Sequence, residues 1–324
     1  MRKIKWSRFL PVIGLVLFAY IVLRVGIDKL IGIFQTINIY YFIFAFSLSA
    51  VLIILKTMKW KLIIESQNID YPFSKCLFTW LVGNSASLIT PGRIGDLYRA
   101  FNLEKYANAR IGNAVATVIL DRFLDIVVMI TLIIIGILFL GNKYGVLFDL
   151  MIPVLLLFLI LLIIISLKSG VLEKMSMKFF YRLVPKKIQS GHDINLNEFF
   201  TSMQDMFRKR TCIFGAILLS LIAWAVNIFQ FYLLTLAFNM EISFLYVAYM
   251  TIIICLVELI PISISGIGTR DAALIFLLSA VHVPAVFAIS LSISMLFIIY
   301  SIGFVGLLIW LREKKFMAND VICE

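Results

Sequence analysis

The sequence has few charged residues. Asp, Glu, Lys and Arg make up only 15% of its 324 residues, whereas 62% are hydrophobic and the mean hydropathy is +1.05. A soluble globular domain has about 25% charged residues and is about half apolar. The composition excludes a soluble enzyme, a disordered chain and a disulfide scaffold. Because the apolar runs are long and continuous rather than short and alternating, the fold class predicted is an all-α polytopic membrane protein.

Histidine and cysteine are also scarce. The chain has 2 histidines and 4 cysteines, and no cysteine pair has the C-x-x-C spacing of a metal or redox site. The G-x-S-x-G, H-E-x-x-H and Walker A motifs are absent. We therefore expect no catalytic residue, no metal, no cofactor and no ATP hydrolysis by this chain. The net charge of +11 lies mostly in loops, where it indicates membrane orientation and contact with anionic headgroups rather than nucleic-acid binding.

Uncharged apolar runs mark the membrane segments. A helix needs about 20 residues to cross roughly 30 Å of hydrocarbon. The runs 76–90 and 242–257 are too short to span, and a segment containing proline, glycine and charged residues follows each of them. Because proline and glycine break helices, these two segments are predicted to be re-entrant hairpins. The runs are 9–23, 38–55, 76–90, 126–142, 150–167, 211–240, 242–257 and 283–311.

Basic loops then set the topology. Arginine and lysine are enriched in cytoplasmic loops, which places both termini in the cytoplasm. The first hairpin enters from the cytoplasmic side and the second from outside, so the halves 9–140 and 147–311 form an inverted-topology repeat with an offset of about 170 residues. A single domain over 1–324 is expected, with a cytoplasmic amphipathic connector at 168–210. The six predicted spans are 9–25, 38–58, 114–140, 147–167, 211–238 and 285–311.

Charged residues sit in or beside the apolar runs. Each would cost about 2.5–3.5 kcal/mol at a lipid-facing helix centre, so we expect them to face the protein interior, to pair, or to line a wet cavity. Asp121 and Asp125 lie four residues apart and share one helix face. Arginine side chains and turn amides, as around Gly92–Asp96, suit a phosphate. The nine are Arg93, Asp96, Arg99, Asp121, Arg122, Asp125, Glu258, Arg270 and Asp271.

Two alternatives remain for these charges. They can be buried ion pairs with a structural role, which hold the hairpins to the third predicted helix. They can also form a metal site, because the Asp121-x-x-x-Asp125 spacing is similar to the aspartate-rich motifs with which intramembrane prenyltransferases bind magnesium and diphosphate. A second motif of that kind is absent from the other half, and Arg122 lies inside the first. The magnesium enzyme is therefore the weaker alternative.

Three sequence blocks resemble the transmembrane region of lysylphosphatidylglycerol synthases, a flippase-like integral membrane family. The resemblance covers about 9–312, and the expected chain is a stand-alone member without the aminoacyl-transferase domain, so lysyl transfer is not implied. The first block is the most specific. The blocks are Asn84 with Leu88–Ala100, Asp121–Asp125, and Glu258–Pro261 with Gly266–Ala273.

The resemblance implies movement of a phospholipid or a polyprenyl-linked lipid between leaflets. Arg93, Arg99 and Arg270 are expected to bind the headgroup phosphate, while the carboxylates position them or recognise a cationic headgroup. An accessory subunit of a glycosyltransferase or cell-envelope synthase is the alternative, with 168–210 as docking surface. A prokaryotic plasma membrane and a homodimer are compatible with either. The candidate site residues are Asn84, Pro91, Arg93, Gly95, Asp96, Arg99, Asp121, Arg122, Asp125, Glu258, Pro261, Gly266, Gly268, Arg270 and Asp271.

Overall fold

The fold is helical throughout the part of the chain that the structure, a computed structural model, describes: residues 10–144, 196–259, 263 and 265–320. These residues form eleven α-helices and one 3₁₀ helix, and no strand occurs among them. The all-α prediction is therefore confirmed for this part. The helices are α1 Leu10–Val25, α2 Ile27–Gln35, α3 Ile39–Ser66, α4 Phe73–Ile89, the 3₁₀ helix Pro91–Leu97, α5 Tyr98–Ala107, α6 Ile111–Tyr144, α7 Leu196–Arg208, α8 Arg210–Ala237, α9 Phe244–Leu259, α10 Thr269–Ser279 and α11 Ala285–Asp320.

Three helices in the described part are long and apolar enough to cross a membrane. They are α3, α8 and the Ala285–Arg312 portion of α11, each with 28 residues. At 1.5 Å per residue, such a helix is about 42 Å long and exceeds the hydrocarbon thickness. Large apolar side chains such as Phe214 and Phe304 are exposed on them, as lipid contact requires. The predicted spans 38–58, 211–238 and 285–311 correspond to these helices, and the protein is a multi-pass membrane protein.

Helix α3 differs from its prediction. It ends at Ser66, eight residues after the predicted end at residue 58. The predicted span ends at 58, which leaves Lys59 and Lys61 beyond it, but both lie on the helix. Lys61 pairs on the surface with Glu65, one turn later, at 3.0 Å. Lys59 is buried, with a side chain only 2% exposed. The helix continues because charges with partners do not interrupt it.

Two further helices were not predicted. α2 is a short helix with Leu30 buried, and α7 forms at the end of the predicted connector 168–210. On α7, Phe199 and Met206 are buried. The remainder of the connector and the predicted span 147–167 lie outside the described residues.

Both predicted hairpin segments are pairs of helices separated by a break. In the first, the 3₁₀ helix separates α4 from α5, and the Gly95 N–H donates to Thr90 Oγ at 2.8 Å. A Cβ at Gly95 would lie 2.2 Å from the Ala86 carbonyl carbon, so only glycine permits this close approach. In the second, Gly266 (φ +74°) and Gly268 (φ +86°) adopt positive φ between α9 and α10. The glycines therefore mark the breaks that the sequence predicted.

The chain divides into two compact units, each built from both sequence halves. Unit 1 comprises the described residues within Met1–Leu52, Asn84–Gly95 and Ala225–Glu324, and unit 2 those within Ile53–Gly83 and Asp96–Trp224. In unit 1, α10 packs against α9 and α11. In unit 2, α5 and α7 pack against α6. The single domain expected over 1–324 stays a prediction.

Candidate functional site

Unit 2 contains a cluster of six charged side chains, which we call the unit 2 cluster. Three are cations and three are carboxylates, and they come from α3, the 3₁₀ helix, α5 and α6. Four of the six side chains are at most 5% exposed. In a chain with so few charges, this concentration makes the cluster the principal candidate site. Its members are Lys59, Asp96, Arg99, Asp121, Arg122 and Asp125.

Lys59 is the cation that binds both carboxylates of α6. Its Nζ lies 2.9 Å from Asp121 Oδ1 and 2.5 Å from Asp125 Oδ1. It donates hydrogen bonds to Asp125 Oδ1 and to the Asp121 carbonyl oxygen, the latter at 3.0 Å, whereas Asp121 Oδ1 has no aligned hydrogen bond. Ser220 on α8 donates to Asp125 Oδ1 at 3.0 Å. The two carboxylates that share one face of α6 are thus held by a lysine of α3.

Arg99 is fully buried but only partly satisfied. Its Nη1 donates to Asp121 Oδ2 at 3.0 Å, and its guanidinium carbon lies 5.0 Å from the centroid of the Trp60 ring. The Nη2 atom is 3.9 Å from Asp96 Oδ1, and neither Nη2 nor Nε makes a hydrogen bond. A Cβ at Gly83 would lie 2.6 Å from Arg99 Cγ. Glycine at that position therefore makes room for the buried arginine.

Arg122 and Asp96 form the outer part of the cluster. Arg122 Nη2 lies 2.6 Å from Asp96 Oδ2, and the arginine side chain is 26% exposed. Despite the short distance, Asp96 Oδ2 has no aligned hydrogen bond, and the buried Arg122 Nε has none either. Together with Arg99 Nε and Nη2, three buried guanidinium nitrogens lack hydrogen-bond partners. Leaving such donors unpaired is costly, and an additional anionic oxygen would satisfy them.

Unit 1 contains a smaller charged group around Arg270. Its Nε donates to Ser292 Oγ at 3.0 Å, its Nη2 to the Ser292 carbonyl oxygen at 3.3 Å, and its Nη1 to Glu258 Oε1 at 3.4 Å. Asp271 Oδ2 accepts the Gly268 N–H at 2.7 Å, while its Oδ1 has no hydrogen bond. A Cβ at Gly266 would lie 2.8 Å from Glu258 Cγ. This group therefore has one cation and two carboxylates, and its arginine uses all of its nitrogens.

The arginines of the two units each donate to a residue at the same spacing along the chain. Arg99 donates to Asp121 and Arg270 to Ser292, each 22 residues further along the chain. Arg270 follows Arg99 by 171 residues, and the glycine four residues before each arginine fits tightly against the preceding helix. Both close fits and both arginine contacts thus recur at an offset of 171 residues.

The same offset relates the polar residues of α3 and α8. Gln230 lies 171 residues after Lys59, and Ser220 lies 171 residues after Ser49. In unit 1, Gln230 Nε2 donates to Ser49 Oγ and to the Ala45 carbonyl oxygen, both at 2.7 Å. A neutral amide therefore stands in unit 1 where unit 2 has the buried ammonium.

The predicted site residues separate into two groups. Unit 2 brings together Asp96, Arg99, Asp121, Arg122 and Asp125. Unit 1 brings together Glu258, Gly266, Gly268, Arg270 and Asp271.

The other candidates contribute little to either group. Gly95 fits closely against α4, the half-buried Asn84 accepts the Ser87 hydroxyl through its carbonyl oxygen at 2.8 Å, and Pro91 begins the 3₁₀ helix. The Arg93 side chain and Pro261 lie outside what the structure describes, so their predicted roles stay predictions.

Lys59 is the residue that sequence reasoning missed. It lies one residue past the predicted span 38–58 and is not among the nine charged residues that the sequence singled out. The signal that identifies it is the helical period that continues after it, because Trp60, Ile63 and Ile64 are fully buried. Lys59 lies four residues before Ile63 and hence on the same buried face.

The magnesium alternative at Asp121 and Asp125 meets a steric and electrostatic obstacle. The Lys59 ammonium contacts an oxygen of each carboxylate, which is the position that a bridging divalent cation needs. Among the described residues, no group of three or more His, Cys, Asp or Glu side chains is arranged to hold a metal ion. The residues present therefore do not fit a magnesium site.

Comparison with known proteins identifies the family of the chain. The profile of the family described as the lysylphosphatidylglycerol synthase TM region matches residues 11–309. A UPF0104 membrane protein of Methanothermobacter thermautotrophicus is 28% identical over 314 residues, which cover 92% of each chain. Another from Methanocaldococcus jannaschii is 29% identical over 327 residues, covering 96% of this chain and 97% of the relative. No solved structure matches. The chain therefore belongs to the lysylphosphatidylglycerol synthase transmembrane-region family.

Proposed function

We propose that this protein is a lipid translocase, which moves a phospholipid or a polyprenyl-phosphate-linked lipid between leaflets. The observation that carries the proposal is the set of partnerless guanidinium nitrogens on Arg99 and Arg122 in unit 2. Arginine binds phosphate oxygens in a bidentate manner that lysine cannot reproduce. A polar cluster in an apolar membrane protein gives a headgroup a place to reside away from the hydrocarbon.

A purely structural role explains the cluster less well. Buried ion pairs are often no more stabilising than apolar packing of the same volume, so six charges are an expensive way to hold helices together. A purely structural ion pair would also be expected to hydrogen-bond its nitrogens, as the Lys59 Nζ does, whereas three guanidinium nitrogens of Arg99 and Arg122 have no partner. The contrast between Lys59 and the two arginines supports a division of labour: the lysine stabilises the carboxylates of α6, and the arginines bind the headgroup.

The proposed mechanism is alternating access across an inverted-topology repeat. In this arrangement the protein has six spans and two re-entrant hairpins in a prokaryotic plasma membrane, with both termini in the cytoplasm. The lipid undergoes no chemical change. The recurrence of contacts at an offset of 171 residues and the breaks at Gly95 and Gly266 support this arrangement. A cysteine replacing Lys143 should label from outside, and one replacing Lys187 only from inside. Labelling of both from the same side would contradict this topology.

The function is tested by lipid flipping in proteoliposomes. Fluorescent phosphatidylglycerol is quenched from outside, and the loss of the protected inner pool is followed for the wild type, Arg122→Gln and Arg93→Ala. Arg110→Gln is the matched control, because Arg110 is 73% exposed and pairs only at the surface with Glu198 in unit 2. We expect fast loss of the inner pool with the wild type and the control, and slow loss with the other two.

The outcome also separates the translocase from the accessory subunit. If folded wild-type protein moves none of several lipids that differ in headgroup, the translocase proposal is wrong, and co-purification of an envelope-biosynthesis enzyme becomes the next measurement. If Arg122→Gln flips lipid at the wild-type rate, the unit 2 cluster is not the headgroup site. Size-exclusion profiles in detergent confirm that each variant is folded.

A further inference from the structure

Asp96 occupies the space between the two partly satisfied arginines of the unit 2 cluster. We propose that its carboxylate is an internal stand-in for the phosphate of the translocated headgroup, which it must leave when the phosphate binds. This inference rests on the proposed function and names the part of the substrate that the cluster recognises. It also assigns Asp96 a role in releasing the lipid, because the same carboxylate returns when the phosphate departs.

The geometry shows a carboxylate in contact with both guanidinium groups but well bonded to neither. Asp96 Oδ1 is 3.9 Å from Arg99 Nη2, beyond hydrogen-bond distance. Asp96 Oδ2 is 2.6 Å from Arg122 Nη2 but lacks an aligned hydrogen bond. Three buried nitrogens stay without partners while this carboxylate is present. A permanent ion pair would be expected to form the parallel two-bond geometry that arginine and carboxylate prefer.

The rest of the cluster distinguishes Asp96 from the other carboxylates. Asp121 is held by Lys59 and by Arg99 Nη1, and Asp125 by Lys59 and Ser220. Asp96 is the one carboxylate of the unit 2 cluster whose ion pairs are with Arg99 and Arg122 alone. It also lies in the Pro91–Leu97 3₁₀ helix, whose hydrogen bonds are weaker than those of an α-helix. Withdrawal of the Asp96 side chain breaks none of the contacts that hold Asp121 and Asp125.

Because of charge balance, the phosphate and the Asp96 carboxylate compete for the same place in the cluster. The unit 2 cluster has three cations and three carboxylates, so its formal charge is zero with Asp96 in place. A phosphate that enters beside Asp96 would leave an excess of negative charge next to buried carboxylates, which is unfavourable. When Asp96 withdraws, the phosphate takes over its contacts and gains the unpaired Arg99 Nε, Arg99 Nη2 and Arg122 Nε.

Binding of phosphate to the purified full-length protein tests the exchange. Calorimetric titration in a neutral detergent uses two probes, sodium phosphate and short-chain dihexanoyl phosphatidylglycerol, with wild type, Asp96→Asn and Asp125→Asn. We expect Asp96→Asn to bind about tenfold more tightly than wild type, because a direct competitor of the phosphate is removed. Asp125→Asn also removes one negative charge, but Asp125 contacts Lys59 and Ser220. The gain in affinity for this variant should therefore be clearly smaller.

The two probes distinguish the sources of the phosphate. A gain with both probes supports a site for the phosphate group itself, and a gain with the lipid alone supports a site that also requires the glycerol or acyl chains. Equal gains in Asp96→Asn and Asp125→Asn would indicate a general charge effect and overturn the proposal, as would unchanged or weaker binding in folded Asp96→Asn. If that variant does not fold, Arg122→Gln should weaken binding about tenfold, and unchanged affinity overturns the proposal.

Flipping measurements keep this inference separate from the proposed function. If wild type flips lipid but Asp96→Asn binds the probes no more tightly, only the role of Asp96 is wrong. If wild type flips nothing and Asp96→Asn still binds more tightly, the phosphate site stands and translocation is wrong. If both hold, Asp96→Asn should flip more slowly than wild type, because the headgroup lacks the carboxylate that displaces it.

Discussion

Replacing Lys59 with methionine should destabilise the protein strongly. The change removes the ammonium that contacts Asp121 Oδ1 at 2.9 Å and Asp125 Oδ1 at 2.5 Å, and it leaves two cations against three carboxylates in the unit 2 cluster. Removal of one partner from a buried ion pair costs about 3–5 kcal/mol, because the other charge stays buried without compensation. We therefore expect the apparent melting temperature in detergent to fall on the order of 10 °C.

The same helix supplies the control. Lys61 lies two residues later on α3, pairs with Glu65 on the surface, and forms no ion pair with the described members of the unit 2 cluster. Lys61→Met should leave the melting temperature within about 2 °C of wild type, because solvent screens exposed pairs. Thermal unfolding is followed by fluorescence-detected size exclusion. If Lys59→Met melts as Lys61→Met does, the buried charge network does not stabilise the fold and our account of the cluster is refuted.

A double variant tests whether charge imbalance is the cause. In Lys59→Met with Asp125→Asn, the cluster returns to two cations and two carboxylates, with Asp121 still bound to Arg99. The second substitution should recover part of the lost stability, with a coupling energy of about 0.5–3 kcal/mol. Additive losses would mean that the two residues act independently, in conflict with their direct contact.

Two further substitutions test the breaks between helices. Gly95→Ala should abolish or sharply reduce the yield of folded protein, because its Cβ would lie 2.2 Å from a backbone atom of Ala86. Gly32→Ala in α2 is the control, because its Cβ meets nothing within 4 Å and the variant should fold normally. Expression yield and size-exclusion profiles distinguish the two variants. Asp271→Ala removes the acceptor of the Gly268 N–H and should cost about 0.5–2 kcal/mol, seen as a lower melting temperature that Asp271→Asn largely restores. Equal melting of the alanine variant and wild type would contradict a capping role.

Hydrophobic runs and helix-breaking residues predicted the long helices and the breaks between the shorter ones. The apolar stretches identified α3, α8 and α11, because burial in lipid demands continuous apolar length. Proline and glycine identified both interhelical breaks, because proline lacks the N–H that continues a helix and glycine permits positive φ and close backbone approach. Ends of helices were less predictable: α3 continued through Lys59 because partners on another helix compensated a charge that is unfavourable in isolation.

The pairing within the site depended on tertiary structure. The sequence placed Asp121 and Asp125 on one face, since that follows from helical geometry alone. It did not predict that Arg99 would bind Asp121, because the contact depends on how α5 packs against α6. Gln230 was also missed, since an uncharged amide does not stand out among apolar residues until its hydrogen bonds to Ser49 and Ala45 are seen.

The balanced charge of the unit 2 cluster has a consequence for energy coupling. Moving one elementary charge through a potential of 100 mV is worth about 2.3 kcal/mol, but a group with equal numbers of positive and negative charges feels no net force in that field. The cluster can therefore change its position in the membrane without electrical work. Any voltage dependence of lipid movement would thus report charges outside the unit 2 cluster, such as that of the headgroup.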